Sequence, residues 1–288
     1  MVWQRVSIVG VGLLGGSIGL RLKQAKLATE VIGIGRNPER LEAALAKGAI
    51  DSYVLRDAED WPQKLVGSDL IIVCTPVLEI VPVVEQIVKK IGTDATITDV
   101  GSTKSEIMTR LGGHAAELCF VGSHPIAGSE KSGVGSATAD LLEGKLVLMT
   151  SSPNNAVKHV ENVSAFWRSL GAFVQEISAA DHDSILATTS HLPHVVASIL
   201  AGATPRNWLS MTGTGWADST RIASGSPIVW RQILEENHGP VLHAIDNFAT
   251  ILGDWSEALR ARDFDKIEQL LNVGKKIRDA LGNRHSSG

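Results

Sequence analysis

The 288-residue chain is short of cysteine: Cys74 and Cys119 stand far apart, with neither a CxxC pair nor a Cys/His metal spacing around them. That excludes a disulfide scaffold and a structural zinc site, and it fits a reducing cytoplasm. Basic charge is also scarce, with 27 Lys and Arg against 31 Asp and Glu, a net charge of −4 and no long basic run. The electrostatic footprint of a nucleic-acid binder is therefore missing, and an anionic ligand must be met by local charge. Long apolar runs are lacking too. Arg5 followed by Val6 to Leu22 superficially resembles a signal peptide, but Gly10, Gly12, Gly15, Gly16 and Gly19 would weaken such a helix. Elsewhere no stretch of about 18 apolar residues is free of charge, so no transmembrane span is expected.

What is present is core-forming material: 44% of residues are hydrophobic and 20% charged, in a chain long enough for about two domains. Up to Ser178, short apolar runs alternate with helical stretches: Val6 to Val9, Val31 to Ile34, Leu70 to Cys74, Thr96 to Val100, Phe120 to Gly122, Leu146 to Met149 and Phe173 to Ile177. This is the pattern of an α/β fold with a doubly wound, mainly parallel sheet covered by helices on both faces. Pro38 to Gly48 and Val77 to Ile91 have helical spacing, with Pro38 just inside a start and Gly48 and Gly92 just past ends. After Ala179 the strand signal stops. The remainder reads as an all-helical domain, 179–288, broken by a Gly-, Ser- and Thr-rich stretch from Ser210 to Pro227. Val241, Ile245, Phe248, Leu252, Trp255 and Leu259 form one apolar stripe, and Phe264, Ile267, Leu271, Ile277 and Leu281 another. Such stripes serve either an internal core or a symmetric partner, and a homodimer is the expectation.

The first strand runs into Gly10-Val11-Gly12-Leu13-Leu14-Gly15, a GxGxxG turn followed by an apolar helix. Gly10 suits the tight turn, Gly12 a close backbone approach to a pyrophosphate, and Gly15 the packing of helix on strand. The helix start adds unpaired N–H groups and positive potential. Ribose selectivity is set at the end of the second strand, which reads Gly35-Arg36-Asn37 with no carboxylate. Arg36 can meet a 2′-phosphate as a planar multi-donor cation, so NADP is preferred, with NAD possible if Arg36 only stacks on the adenine. Cofactor contacts are expected at Gly10, Gly12, Leu13, Leu14, Gly15, Arg36, Thr75 and Ser102; no metal site is expected.

Three polar segments could act on a small anion: Thr98 to Lys104, Gly122 to Gly133, and Asp218 to Ile222. The first two begin at strand ends, where ligands bind in open parallel sheets, and His124 in its strand-end loop is a candidate general base. With these segments in view the chain resembles the prephenate and arogenate dehydrogenase family. The resemblance is carried by GxGxxG, by the DVGSTK segment from Asp99, by HPIAGSEKSG from His124, by Ser190-His191-Leu192-Pro193-His194, and by Asp218 to Pro227. It implies a Rossmann domain (1–178) followed by a helical substrate and dimerisation domain (179–288). It also implies oxidative decarboxylation of a cyclohexadienol, prephenate or arogenate, with NAD(P).

The resemblance assigns His124 as the base, with Ser102 bonding the same hydroxyl or His124 itself. Arg221 would hold a substrate carboxylate, and Ser129 and His191 would line the pocket. Lys104 either adds positive potential there or is a solvated surface lysine. His182, in Asp181-His182-Asp183, reads as structural at a helix start, His194 as satisfying a carbonyl freed by Pro193, and Cys74 as buried and inert. Asp99 is a partner behind the site or a strand end. Ala217 replaces a basic residue that many relatives carry, which bears on Glu130 and on the substrate side chain. Two other readings remain open: a β-hydroxyacid type of dehydrogenase, or a non-catalytic nucleotide-sensing dimer. The region Asp181 to Ala203 lacks the lysine of the former, and the only tyrosine, Tyr53, lacks the YxxxK partner of short-chain dehydrogenases.

Overall fold

The computed structural model describes residues 2–57, 60–128 and 133–282. These form two compact units, Met1–His238 and Gly239–Gly288, each taken by itself below.

In the larger unit, β1 (Trp3–Val9) leads through the glycine turn into α1 (Leu13–Gln24), so the N-terminal apolar stretch is strand and helix. Next come β2 (Ala28–Gly35), α2 (Pro38–Ala46), β3 (Ser52–Leu55), β4 (Leu70–Val73), α3 (Val77–Ile91), β5 (Thr96–Asp99) and α4 (Ser105–Leu111). They are followed by β6 (Phe120–Pro125), β7 (Leu146–Thr150), α5 (Val157–Ser169) and β8 (Phe173–Glu176). The eight strands form one sheet in the order β3-β2-β1-β4-β5-β6-β7-β8. Each strand sends alternate side chains to opposite faces, as a period of two requires. Val6 and Ile8 join the core under α1 and α5, whereas Val9, Ile71 and Val73 join the core under α3 and α4. Two buried faces explain why the strands read as nearly unbroken apolar runs.

The structure corrects one sequence expectation here and locates the antiparallel exception in the mainly parallel sheet. Ser52–Leu55 adds an edge strand on β2 that sequence reading missed; it is short and only partly buried, so its apolar signal is weak. In addition, β6 and β7 pair antiparallel within an otherwise parallel sheet. The described part of their connection holds only the 3-10 turn Val134–Ser136, not the crossover helix that a parallel return requires.

Beyond β8 the chain is helical: α6 (Ala179–Leu186), a π-helical turn Ala187–His191, α7 (Leu192–Ala203), α8 (Thr214–Thr220) and α9 (Pro227–Glu236). The stretch from Ser210 to Pro227 is therefore short helical pieces rather than a plain break. The π turn lies just before Pro193, where the missing N–H would otherwise disturb the helix. The run Ala179–Ala203 is long and apolar enough by composition to cross a membrane. His182 and Asp183 within it are buried and hydrogen-bonded to His124 and to the backbone of Lys104.

The smaller unit contains α11 (Phe264–Gly282) and all of α10 (His238–Ala261) beyond its first residue. Most of the two apolar stripes is exposed in the single chain, including Phe248, Leu252, Leu259, Phe264, Leu271 and Ile277, while Val241 is buried.

Candidate active site

The glycine turn lies at the point where strand order reverses, between β1 and β4, the usual ligand crevice of a doubly wound sheet. Gly10 has φ +99°, and a Cβ there would fall 2.6 Å from the Cys74 carbonyl oxygen, so only glycine lets the turn close against β4. A Cβ on Gly15 would strike the Gly10 carbonyl, which fixes the approach of α1 to the turn. At Gly12 a Cβ would meet nothing within 4 Å, and no side chain caps the helix start. The backbone there faces a groove of about 790 Å³ whose lining includes Gly10, Gly12, Arg36, Arg40, Thr75 and Glu79. Thr75 Oγ1 is buried with no hydrogen-bond partner among the described residues. An open glycine backbone, an uncapped helix start and an orphan hydroxyl fit a dinucleotide pyrophosphate. Leu13 and Leu14 form the first turn of α1, and both are partly exposed. Cys74 is half-buried rather than fully buried, and burial, with the Asp99 charge, holds its thiol protonated.

His124 is found inside β6, opposite Leu148 of β7, rather than in a loop, and is 9% exposed. Its Nδ1 lies 3.0 Å from Nε2 of His182, whose Nδ1 lies 2.7 Å from Asp183 Oδ1. This is the principal correction to the sequence reading: His182 stands behind His124. An ionised Asp183 accepts a proton-bearing Nδ1 from His182, which leaves His182 Nε2 to accept from His124 Nδ1–H. His124 Nε2 then carries the lone pair. Burial, and after it the neighbouring His182, Lys104 and His191, push His124 well below the ordinary histidine range, so the ring is neutral near pH 7. Burial also lowers His182, against its hydrogen bond to the Asp183 carboxylate. Burial alone would raise Asp183, but hydrogen bonds from His182, Ser105 and Lys104 outweigh it and lower its carboxyl.

The same carboxylate accepts the backbone N–H groups of Lys104 and Ser105, each at 2.8 Å, and so ties α6 to the start of α4. Lys104 is not a surface lysine. It is wholly buried with Nζ 2.6 Å from Asp99 Oδ2 and 2.9 Å from the Thr103 carbonyl. Asp99 also accepts from Gly101 N and Ser123 N, so it anchors the loop after β5. Ser102 is partly exposed in that loop, and His124 Nδ1 is paired with His182.

His191 is buried at the end of the π turn, its Nδ1 3.0 Å from Asn237 Nδ2. Its Nε2 has no partner among the described residues, and burial lowers its pKa to about 4. His194 stacks on Trp230 at 3.5 Å with 11° between the planes, so its role is packing rather than repair of a carbonyl. Asn237 and Trp230 carried no sequence signal. Arg221 is exposed at the start of a 3-10 turn, Arg221–Ser224, and Ala217 is exposed on α8. Ser129 and Glu130 lie outside the described residues.

Five histidines, His124, His159, His182, His191 and His194, sit below their ordinary values, each first through burial. The unfolded chain binds more protons than the native one below about pH 6.5, so stability falls as pH drops from there towards 4. His191 alone accounts for roughly 3 kcal/mol over that window. Urea unfolding at pH 7.5, 6 and 5 measures this; equal stability at all three would refute it.

Fold and site together define a dinucleotide-binding α/β protein with a neutral, buried histidine near its sheet, in the class of dehydrogenases. The chain belongs to the prephenate dehydrogenase family: residues 18–176 match its nucleotide-binding domain and residues 178–273 its dimerization domain. It is 30% identical to the Bacillus subtilis prephenate dehydrogenase, over 96% of this chain and 76% of that protein. It is also 27% identical to the Zymomonas mobilis cyclohexadienyl dehydrogenase, over 99% and 98%. The crystal structure of the Aquifex aeolicus prephenate dehydrogenase, in complex with hydroxyphenyl propionate and NAD+, superposes with TM-score 0.86 at 32% identity, over 97% and 99% of the two chains.

Proposed function

We propose that this protein oxidises and decarboxylates a cyclohexadienol, converting prephenate to 4-hydroxyphenylpyruvate or arogenate to tyrosine, with NADP preferred over NAD. The observation that carries the reading is the Asp183–His182–His124 chain, which leaves a lone pair on a buried nitrogen. Bound NAD(P) supplies the hydride acceptor, held at Gly10, Gly12, Leu13, Leu14, Gly15, Thr75 and Arg36, with Ser102 near the nicotinamide. As hydride leaves the ring carbon that carries the hydroxyl, His124 Nε2 takes the hydroxyl proton; the ring carboxylate then leaves as carbon dioxide, its bonding electrons make the ring aromatic, and the phenolate oxygen takes the proton back. His182 and Asp183 fix the tautomer and so direct the His124 Nε2 lone pair at the substrate, as positioning residues. Ser102 orients the substrate hydroxyl. The unsatisfied His191 Nε2–H donates to substrate, Arg221 grips a carboxylate, and Ser129 completes the pocket.

The change from strands to helices after β8 supports a division at Ser178 into a dinucleotide domain and a substrate and dimerisation domain. Exposed apolar stripes on α10 and α11 support a homodimer. Two unpaired cysteines support a cytoplasmic setting.

The test is formation of reduced nicotinamide by the purified protein with prephenate and with arogenate, each paired with NAD and NADP. Turnover is expected in at least one pairing, fastest with NADP. Dinucleotide binding by folded protein without turnover in any pairing would replace the reading with a nucleotide-sensing dimer or another dehydrogenase.

A further inference from the structure

Arg36 is the first residue after β2 and Arg56 the first after β3, so adjacent strands deliver two guanidinium groups to one edge of the groove. The backbone joins them as well, with Arg56 N–H donating to the Gly35 carbonyl at 2.8 Å. Facing them is Glu79, in the first turn of α3, just beyond the end of β4. Its carboxylate holds one arginine on each oxygen: Arg36 Nη2 at 3.0 Å from Oε1, and Arg56 Nη1 at 2.8 Å from Oε2.

The two arginines are held unequally. The Arg56 side chain is 15% exposed and lies over the Trp61 ring at 6.0 Å, whereas that of Arg36 is 66% exposed. Arg56 therefore keeps Glu79 in place, and Arg36 is the arm that can change partner at little cost, because an exposed ion pair contributes little. A ligand with only hydroxyls on its ribose leaves the Glu79 clamp intact and the charges balanced. A ligand with a 2′-phosphate competes with the Glu79 carboxylate for Arg36 and is repelled by it across a short, partly desolvated gap.

We propose that Glu79 is a specificity-determining residue of the dinucleotide site: by occupying Arg36 and Arg56 it limits the preference for a 2′-phosphate and keeps the 2′-hydroxyl cofactor usable. The inference rests on the dinucleotide reading above. It differs from the usual arrangement, in which the discriminating carboxylate ends the second strand. Here that position is Arg36, and the carboxylate comes from a helix that starts on the other side of the glycine turn, after β4.

The test uses the full-length protein and two small probes, adenosine 2′,5′-bisphosphate and 5′-AMP, titrated calorimetrically at low salt. Glu79→Gln is expected to tighten the bisphosphate by about three- to thirtyfold and to leave 5′-AMP within about twofold. Glu79→Ala, which removes the side chain's hydrogen bonds as well, should change the ratio in the same direction. Weaker bisphosphate binding in both variants would overturn the proposal and make Glu79 an aligner of the arginines. An equal change for both probes would overturn it too. Arg36→Ala tests the cofactor reading separately: it should weaken the bisphosphate more than 5′-AMP. Equal weakening would refute the 2′-phosphate contact at Arg36, whatever the Glu79 variants do.

Discussion

Replacing His124 with asparagine is expected to lower kcat about 10²- to 10⁴-fold, the range for loss of a positioned general base, while dinucleotide affinity stays within about twofold. The argument rests on where the lone pair falls. Asp183 orders the protons of His182, and His182 Nε2 in turn accepts a hydrogen bond from His124 Nδ1–H, so only Nε2 can accept from substrate. Near-normal turnover by His124→Asn would remove this residue from the base role. In the native enzyme the acid limb of kcat/KM is expected below about pH 6.5, because burial, His182 and Lys104 all disfavour the charged ring. Turnover is therefore kept as pH falls from 7 to 6 and is lost only as His124 itself protonates. His182→Gln separates positioning from mere packing. Glutamine can still bond His124 Nδ1, but the charge relation is gone, so kcat should fall and the acid limb should move to higher pH. A fall in kcat with an unmoved limb would leave His182 a packing role only.

Lys104→Met is the change expected to cost most in stability, about 3–5 kcal/mol by urea unfolding at pH 7.5. Both members of the Lys104–Asp99 pair are completely buried, and among the described residues removing the lysine leaves the carboxylate with the Gly101 and Ser123 N–H groups for compensation. The double variant Lys104→Met, Asp99→Asn should recover part of the loss, because the penalty lies in the stranded charge rather than in the absence of the pair. A loss below 1 kcal/mol in the single variant would show that the carboxylate finds other compensation or a proton. Lys104 also helps to hold His124 neutral, so in the surviving folded enzyme the acid limb should move up.

Much of this molecule is legible without coordinates. The glycines of the first turn announce their own geometry, since a positive φ at Gly10 and the contact at Gly15 are properties that no other residue supplies. The alternation of apolar runs and helical spacings gives seven of the eight strands, and only the short edge strand Ser52–Leu55 lies below that signal. The segments Thr98 to Lys104, Gly122 to Gly133 and Asp218 to Ile222 were visible as chemistry because their residue types can act on a small anion, whereas His191 came only through the family resemblance.

Other assignments could not be made along the chain. Lys104 follows Gly101-Ser102-Thr103 and looks like any loop lysine; only the fold shows the Asp99 carboxylate beside it. Asp181-His182-Asp183 looks like an ordinary acidic helix start, and nothing in the sequence says that α6 lays His182 against a strand residue 58 positions earlier. Glu79 reads as a helix-start acid until β2 and β3 bring two arginines to it. The sequence by itself determined the periodicities, the turn that only glycine can make and the residue types able to do the chemistry, because these are local and steric. Tertiary structure alone decided which of those groups are buried, which protons they share and which charges they neutralise. Desolvation and hydrogen bonding depend on neighbours in space, and a position in the chain does not contain them.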